Sequence, residues 1–281
     1  MVQWLKSKSL KIEKIKQLQA AAKILAADAQ MPTFCVIKVG DEPASQVYCR
    51  RLHALAGQIG INMLTVALPA TSSQTDLLKQ IAELNQKPTV HGILLTMPLP
   101  PAFDQLQAGN AILPAKDIDC LTAVNLGWLW QDQPLFVPAA AKAVMSLLAH
   151  YQVPVAGQHA VILGRSQVVG KPLAALLLKA GATVTIADSQ TQALPEVVKA
   201  ADLLISAVGR PAFVQAKWLK IGVNAVDVGT NVVAGKVVGD LDPACRQRVN
   251  WLTPVPGGVG PLTTVSLMEQ VIQAERRQND N

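Results

Sequence analysis

Short apolar runs rich in β-branched residues alternate along the chain with stretches of helical spacing. TFCVIKV (33–39), INMLTVAL (61–68) and VHGILLT (90–96) form one such series, and the helix-patterned segments between them predict repeated βα units with a parallel sheet. HAVILG (159–164), ATVTIAD (182–188), DLLISAVG (202–209) and NAVDVG (224–229) form a second series, predicting a second α/β unit. Between the two, PAAAKAVMSLLAHY (138–151) combines strong helix formers with a proline at its start and predicts a connecting helix that ends near Pro154 and Gly157. The tail PLTTVSLMEQVIQAERRQ predicts a further amphipathic helix beginning at Pro261. The expected fold class is therefore α/β, with two α/β lobes and a cleft between them. A length of 281 residues fits this, at roughly 150 residues per domain. Residues 1–120 are expected to form the first domain, with 261–281 packed back on it, and 121–260 the second.

Composition narrows the classes further. Half the residues are apolar and 16% are charged, which excludes a disordered chain. No apolar run reaches the ~18 uninterrupted residues of a membrane span. The N-terminus has neither an apolar signal core nor the arginine richness of a transit peptide, so a cytoplasmic protein is expected. Cys35, Cys49, Cys120 and Cys245 lie far apart and form no CxxC pair, so neither a metal site nor a disulfide framework is expected. The net charge of +6 is local: Lys6, Lys8, Lys11, Lys14, Lys16 and Lys23 against Glu13 place +5 of it in the first 23 residues. An apolar stripe of Ile15, Leu18, Ala22 and Leu25 on the same segment makes these lysines the wet face of a helix. With 4% aromatic residues, nucleic acid is not an expected partner.

Three stretches carry candidate chemistry. VILGRSQVVGKPLAALLL reads as strand, glycine turn and helix, an arrangement that turns backbone N–H groups toward a phosphate. Its Gly164 and Gly170 stand six apart, with Arg165 and Ser166 in the turn, so it is not GxGxxG. A tight βα turn without a ligand remains the alternative. The next strand ends at Asp188 and Ser189, where a dinucleotide fold reads the adenosine ribose. An acidic residue there suits the free 2′-OH of NAD, and an arginine suits the 2′-phosphate of NADP. This chain offers both. TPVPGGVGPLTT (253–264) has Gly or Pro at five of the six positions 256–261, a rigid loop whose backbone a flat ligand can approach closely. The third stretch, PASQVYCRRLHALA (43–56), sets Tyr48 and Leu52 side by side on one helix face.

VGDEPASQVY, TMPLPP, KDID, GRSQVVGKP, ADLLISAVGRP, VDVGTN, GKVVGD and TPVPGGVGPLT occur in the order found in the methylenetetrahydrofolate dehydrogenase/cyclohydrolase family, and the resemblance covers nearly the whole chain. It implies a homodimer with a tetrahydrofolate derivative in the cleft and NADP, or alternatively NAD, on a Rossmann-type second lobe. It assigns Tyr48 and Asp119 to the pterin, adds Leu95, Thr96, Met97, Pro256, Gly257, Gly258, Val259 and Gly260 to the substrate site, and gives the cofactor Gly164, Arg165, Ser166, Ser189 and Thr230. It implies no metal.

Against that pattern the chain departs at the catalytic centre. The family lysine, one helical turn after the tyrosine, is Leu52, and no lysine occurs between Lys38 and Lys79. The glutamine that pairs with it is Thr96. The glycine after the KDxD carboxylate is Cys120, the PCTP helix start is Pro138, Ala139, Ala140 and Ala141, and the hydrophobic residue of DVGIN is Thr230. Arg51 and His53 project roughly 100° to either side of Leu52, and His53 alone of the two can titrate usefully. Hydride transfer chiefly needs positioning, whereas hydrolysis needs protons moved, so loss of the lysine should damage the cyclohydrolase step most. Three readings follow: an NADP-linked folate dehydrogenase with impaired hydrolysis, a non-catalytic folate- or nucleotide-binding paralogue, and a dehydrogenase for another substrate.

Overall fold

The computed structural model describes residues 2–27 and 31–279. In chain order the elements are β1 (Gln3–Trp4), α1 (Lys8–Ala27), β2 (Thr33–Val39), α2 (Pro43–Ile59), β3 (Asn62–Leu68), α3 (Gln74–Gln86), β4 (Gly92–Leu95), α4 (Gln105–Asn110), α5 (Ala123–Trp130) and α6 (Ala139–His150). They continue as β5 (His159–Leu163), α7 (Gly170–Lys179), β6 (Thr183–Ala187), α8 (Leu194–Lys199), β7 (Leu203–Ser206), β8 (Val223–Asp227), β9 (Asn231–Val233), β10 (Lys236–Val238), β11 (Val249–Leu252) and α9 (Gly260–Asn279). The chain divides into two compact units, Glu13–Val137 with Thr264–Asn281, and Met1–Ile12 with Pro138–Thr263.

The unit built on Glu13–Val137 holds a parallel sheet of order β3-β2-β4. Central β2 is covered on both faces, which explains its unbroken apolar run. Edge strand β3 has only exposed and half-buried positions. Cys35 and Ile37 pack against Leu77, Ile81 and Leu84 of α3 and against Ile93 and Leu95 of β4. Helix α2 begins with proline, and Gly60 closes it in the left-handed region at φ 93, donating its N–H to the Ala56 carbonyl. Helix α3 starts with a Ser73–Asp76 capping box. Along α1, Ile15, Leu18 and Ala22 are buried and Leu25 is half-buried, while Lys16 and Lys23 face water and Lys14 pairs with Glu269 of α9.

The other unit is a six-stranded sheet of order β1-β11-β8-β7-β5-β6, parallel throughout, with an antiparallel β9–β10 hairpin beside it in sequence. Val161, Leu163, Leu204, Ala225 and Leu252 lie in its core. Four of its strands match the expected apolar runs. Strands β1 and β11 were not expected: two and four residues are too short to show a period. Consecutive parallel strands with intervening helices place the loops after β5, β6, β7 and β8 at one edge of the sheet, where open α/β folds bind ligands.

Candidate active site

In the Glu13–Val137 unit, α2 holds Tyr48 and Leu52 one turn apart. Tyr48 is half-buried, and its hydroxyl is pushed well above the usual phenol range, first by burial, then by the Asp119 carboxylate and by Cys49. It therefore stays protonated at neutral pH and can act as a hydrogen-bond donor near Asp119. Leu52 is fully buried and presents only methyl groups. Arg51 and His53 are both exposed, so neither shares the enclosed face of the helix that the family lysine would occupy.

Thr96 follows β4 directly. Its Oγ1 donates to the Ile37 carbonyl at 3.2 Å, and its N–H donates to the same oxygen at 3.0 Å. The hydroxyl is thus committed to backbone. Thr96 also borders a hollow of about 290 Å³ with Gly40, Asp41, Ser45, Leu99 and Pro100. Leu95 is buried in the core with Ile93 and Leu77, so its side chain takes no part in an open site. Met97 is half-buried and precedes a cis peptide to Pro98.

The KDID segment is drawn against β4 because Gly92 has no side chain: a Cβ there would lie 2.6 Å from Ile118 Cγ2. Within the segment, the fully buried Asp117 accepts N–H groups of Leu121 and Thr122 and the Asn125 amide, each at 2.8 Å. Burial still holds its pKa above the ordinary carboxylate range. Asp117 is the post on which the loop is built, and the half-buried Asp119 is the carboxylate the loop carries. Cys120 sits at φ 57, a left-handed conformation that explains the family's glycine at this position. Its buried thiol is pushed up by burial and then by Asp117 and Asp119, so it is inert as a nucleophile.

In the second unit, two close approaches account for the glycine spacing. Gly164, at φ 108, leaves no room for a Cβ, which would lie 2.5 Å from the Ala207 carbonyl; a Cβ on Gly170 would lie 2.0 Å from the carbonyl of Gly164 itself. Six residues are what the chain needs to turn from β5 and return as α7 against its own start. Ser166 Oγ accepts the Val169 N–H at 3.2 Å, so it shapes the turn, with its own hydroxyl proton left to donate. Arg165, Ser166, Ser189 and Thr230 are all exposed and open to a ligand. Arg165 Nε forms an ion pair with Asp188 Oδ2 at 2.5 Å.

The glycine-proline loop is held at Gly257, at φ 109, whose carbonyl accepts both the N–H and the hydroxyl of Ser7. A Cβ on Gly258 would lie 2.7 Å from the Pro254 carbonyl. Pro256, after a cis peptide, and Gly260 are exposed, whereas Val259 is buried. Close walls with little side-chain bulk are what a planar ring system needs.

Two buried aspartates organise the loops after β7 and β8, and sequence reading missed both, along with Asp117. Asp227 accepts the N–H groups of Gly229, Asp240 and Leu241 at 2.9–3.0 Å. Asp240 accepts the Ser206 hydroxyl, the Asn231 amide and the N–H groups of Val208, Gly209 and Arg210. The residues were visible inside KDID, DVGTN and GKVVGD, but most of their partners are backbone N–H groups, some nearby and some of remote segments, which no side-chain pattern records. Among the described residues no cluster of His, Cys, Asp and Glu could hold a metal ion, and no helix is long and apolar enough to cross a membrane.

Comparison with known proteins follows the same division. Residues 5–119 match the model of the tetrahydrofolate dehydrogenase/cyclohydrolase catalytic domain, and residues 138–279 that of the tetrahydrofolate dehydrogenase/cyclohydrolase NAD(P)-binding domain. The bifunctional protein FolD of Lactobacillus gasseri is 43% identical over 280 residues, 99% of each chain. That of Lactobacillus delbrueckii subsp. bulgaricus is 45% identical over 249 residues, 88% of each chain. The crystal structure of FolD from Campylobacter jejuni superposes with a TM-score of 0.96 at 35% identity, covering 99% of both chains. The Trypanosoma brucei enzyme, described as complexed with NADP cofactor and inhibitor, gives 0.95 at 34% identity over 100% of this chain and 99% of its own.

Proposed function

Because the chain belongs to the tetrahydrofolate dehydrogenase/cyclohydrolase family, we propose that it oxidises methylenetetrahydrofolate to methenyltetrahydrofolate with NADP and hydrolyses the product little or not at all. NADP supplies the hydride acceptor. Asp119 holds the pterin through charge-assisted hydrogen bonds, and Tyr48, kept protonated beside it, lines the ring and donates without carrying charge. Gly164, Gly170 and Gly258 sit where a side chain would collide with neighbouring backbone, and Gly257 sits at φ 109, so both loops are folded tightly with little side-chain bulk, which suits flat ligands. Arg165 and Ser189 are the residues for the nucleotide's ribose end, Thr230 joins the cofactor site from the loop after β8, and Ser166 fixes the turn. Hydride transfer asks these groups for positioning.

Ring opening of the methenyl cation asks for more: a proton must be moved onto and off a tetrahedral adduct. Leu52 offers none, and Thr96 has its hydroxyl on the Ile37 carbonyl. A protonated Tyr48 beside Asp119, with an aliphatic side chain buried one turn further on, is the observation behind this assignment. We further propose that the protein works as a cytoplasmic homodimer. Its four cysteines are free thiols, as in a reducing compartment, and exposed valines on the β9–β10 hairpin suit a partner surface on the nucleotide unit.

The deciding experiment follows reduced nicotinamide and methenyltetrahydrofolate together in one spectrophotometric assay, with NADP and NAD each offered. Methenyltetrahydrofolate should accumulate in step with reduced nicotinamide and then decay at the spontaneous rate. A folded protein that binds nucleotide yet reduces none with methylenetetrahydrofolate would instead be a binding paralogue or a dehydrogenase for another substrate, the two alternatives that Leu52 keeps open.

A further inference from the structure

The ion pair between Arg165 and Asp188 joins the two residues that pull nucleotide choice in opposite directions. Building on the dinucleotide reading above, we propose that Asp188 is a specificity-determining residue that narrows the preference for NADP over NAD, by neutralising Arg165 and by standing where a 2′-phosphate would arrive.

The carboxylate does not turn away from the site. Its Oδ1 accepts the Gln190 N–H at 2.8 Å, its own N–H donates to Thr191 Oγ1 at 2.9 Å, and the Thr191 N–H returns to its carbonyl at 3.1 Å. This local turn fixes the side chain at the end of β6, with Oδ2 held to Arg165 Nε at 2.5 Å. Asp188 is largely covered, its side chain 19% exposed, whereas that of Arg165 is 68% exposed. The fixed member of the pair is the anion and the movable one is the cation.

A ribose 2′-phosphate carries ~1.5 to 2 negative charges at neutral pH. To use Arg165 it must share a guanidinium already matched to a carboxylate, and it then sits beside that carboxylate. A free 2′-OH meets no such repulsion, and it can donate to a carboxylate oxygen with a lone pair to spare. The outward face of Arg165 is wet, so screening limits the effect. The pair therefore narrows the discrimination without reversing it.

The test measures dissociation constants of NADP and NAD by titration calorimetry, with adenosine 2′,5′-bisphosphate and AMP as probes of the ribose end alone. Asp188→Asn keeps an oxygen for the Gln190 N–H and removes the charge. It should raise the NADP-to-NAD affinity ratio about tenfold, the equivalent of ~1.4 kcal/mol, and the bisphosphate-to-AMP ratio in parallel. The gain should shrink at high ionic strength. Arg165→Gln should lower both ratios while NAD still binds, which also serves as the check on folding. A rise of less than threefold in Asp188→Asn, or a gain that high salt leaves undiminished, overturns the proposal and leaves the dinucleotide reading intact. Failure of wild type to bind either nucleotide overturns both.

Discussion

A leucine can neither take nor deliver a proton, so the simplest repair of hydrolysis is at the residues that would move one. Leu52→Lys with Thr96→Gln should restore decay of methenyltetrahydrofolate above the spontaneous rate, and by more than either change alone, because a lone lysine would meet a threonine whose hydroxyl is held by Ile37. Positioned proton transfer contributes ~10² to 10⁴ in rate, so recovery is measurable by absorbance. Leu52→Lys alone should also lower the melting temperature, since it puts an ammonium where the native side chain is fully buried. Strong hydrolysis by the unmodified protein would sink the idea. At this scale the sequence was legible where identity decides the chemistry, as at Leu52 and Thr96. It was not legible where geometry decides. Arg165 and Asp188 read as opposing signals until the fold showed them bonded to each other.

Among the elements, strands buried on both faces were legible because the environment demands continuous apolar runs: β2 and β5 begin where their runs begin. Strands β1 and β11 escaped because their register comes from neighbours in the sheet. The loop after β8 depends on Asp227 in a way that pH should reveal. Burial chiefly, offset by its backbone hydrogen bonds, with Asp240 adding repulsion, raises its pKa from the ordinary 3.8 to about 6. Between those values the folded chain binds a proton that the unfolded chain does not, so this residue's contribution to stability is full below the lower value and is lost as pH rises through the upper one. Asp227→Asn removes that titration and sets an amide N–H against the N–H of Leu241, costing ~1–3 kcal/mol. Its deficit against wild type in denaturant titrations should be largest near pH 4 and shrink by pH 7. A deficit that does not change with pH would show that folding leaves the pKa of Asp227 at its ordinary value.

For the molecule as a whole, the prediction is a dimer. Val232 is 72% exposed, and Val233 and Val237 also face outward on the β9–β10 hairpin, an apolar surface of the kind that marks an interaction site. Light scattering at micromolar concentration should give twice the chain mass, and Val232→Asp should shift it toward the monomer; a wild-type monomer refutes the assignment. The two buried aspartates of the same unit have a consequence of a different kind. A Cβ on Gly229 would strike the Asp240 carboxylate, and one on Gly239 would strike that of Asp227. Gly229 thus makes room for Asp240, which holds the 208–210 segment and Asn231, and Gly239 makes room for Asp227, which holds Gly229 and the 240–241 segment. A side chain at either glycine would displace the carboxylate it faces, so these four positions form one coupled unit, and substitutions among them should be non-additive in stability.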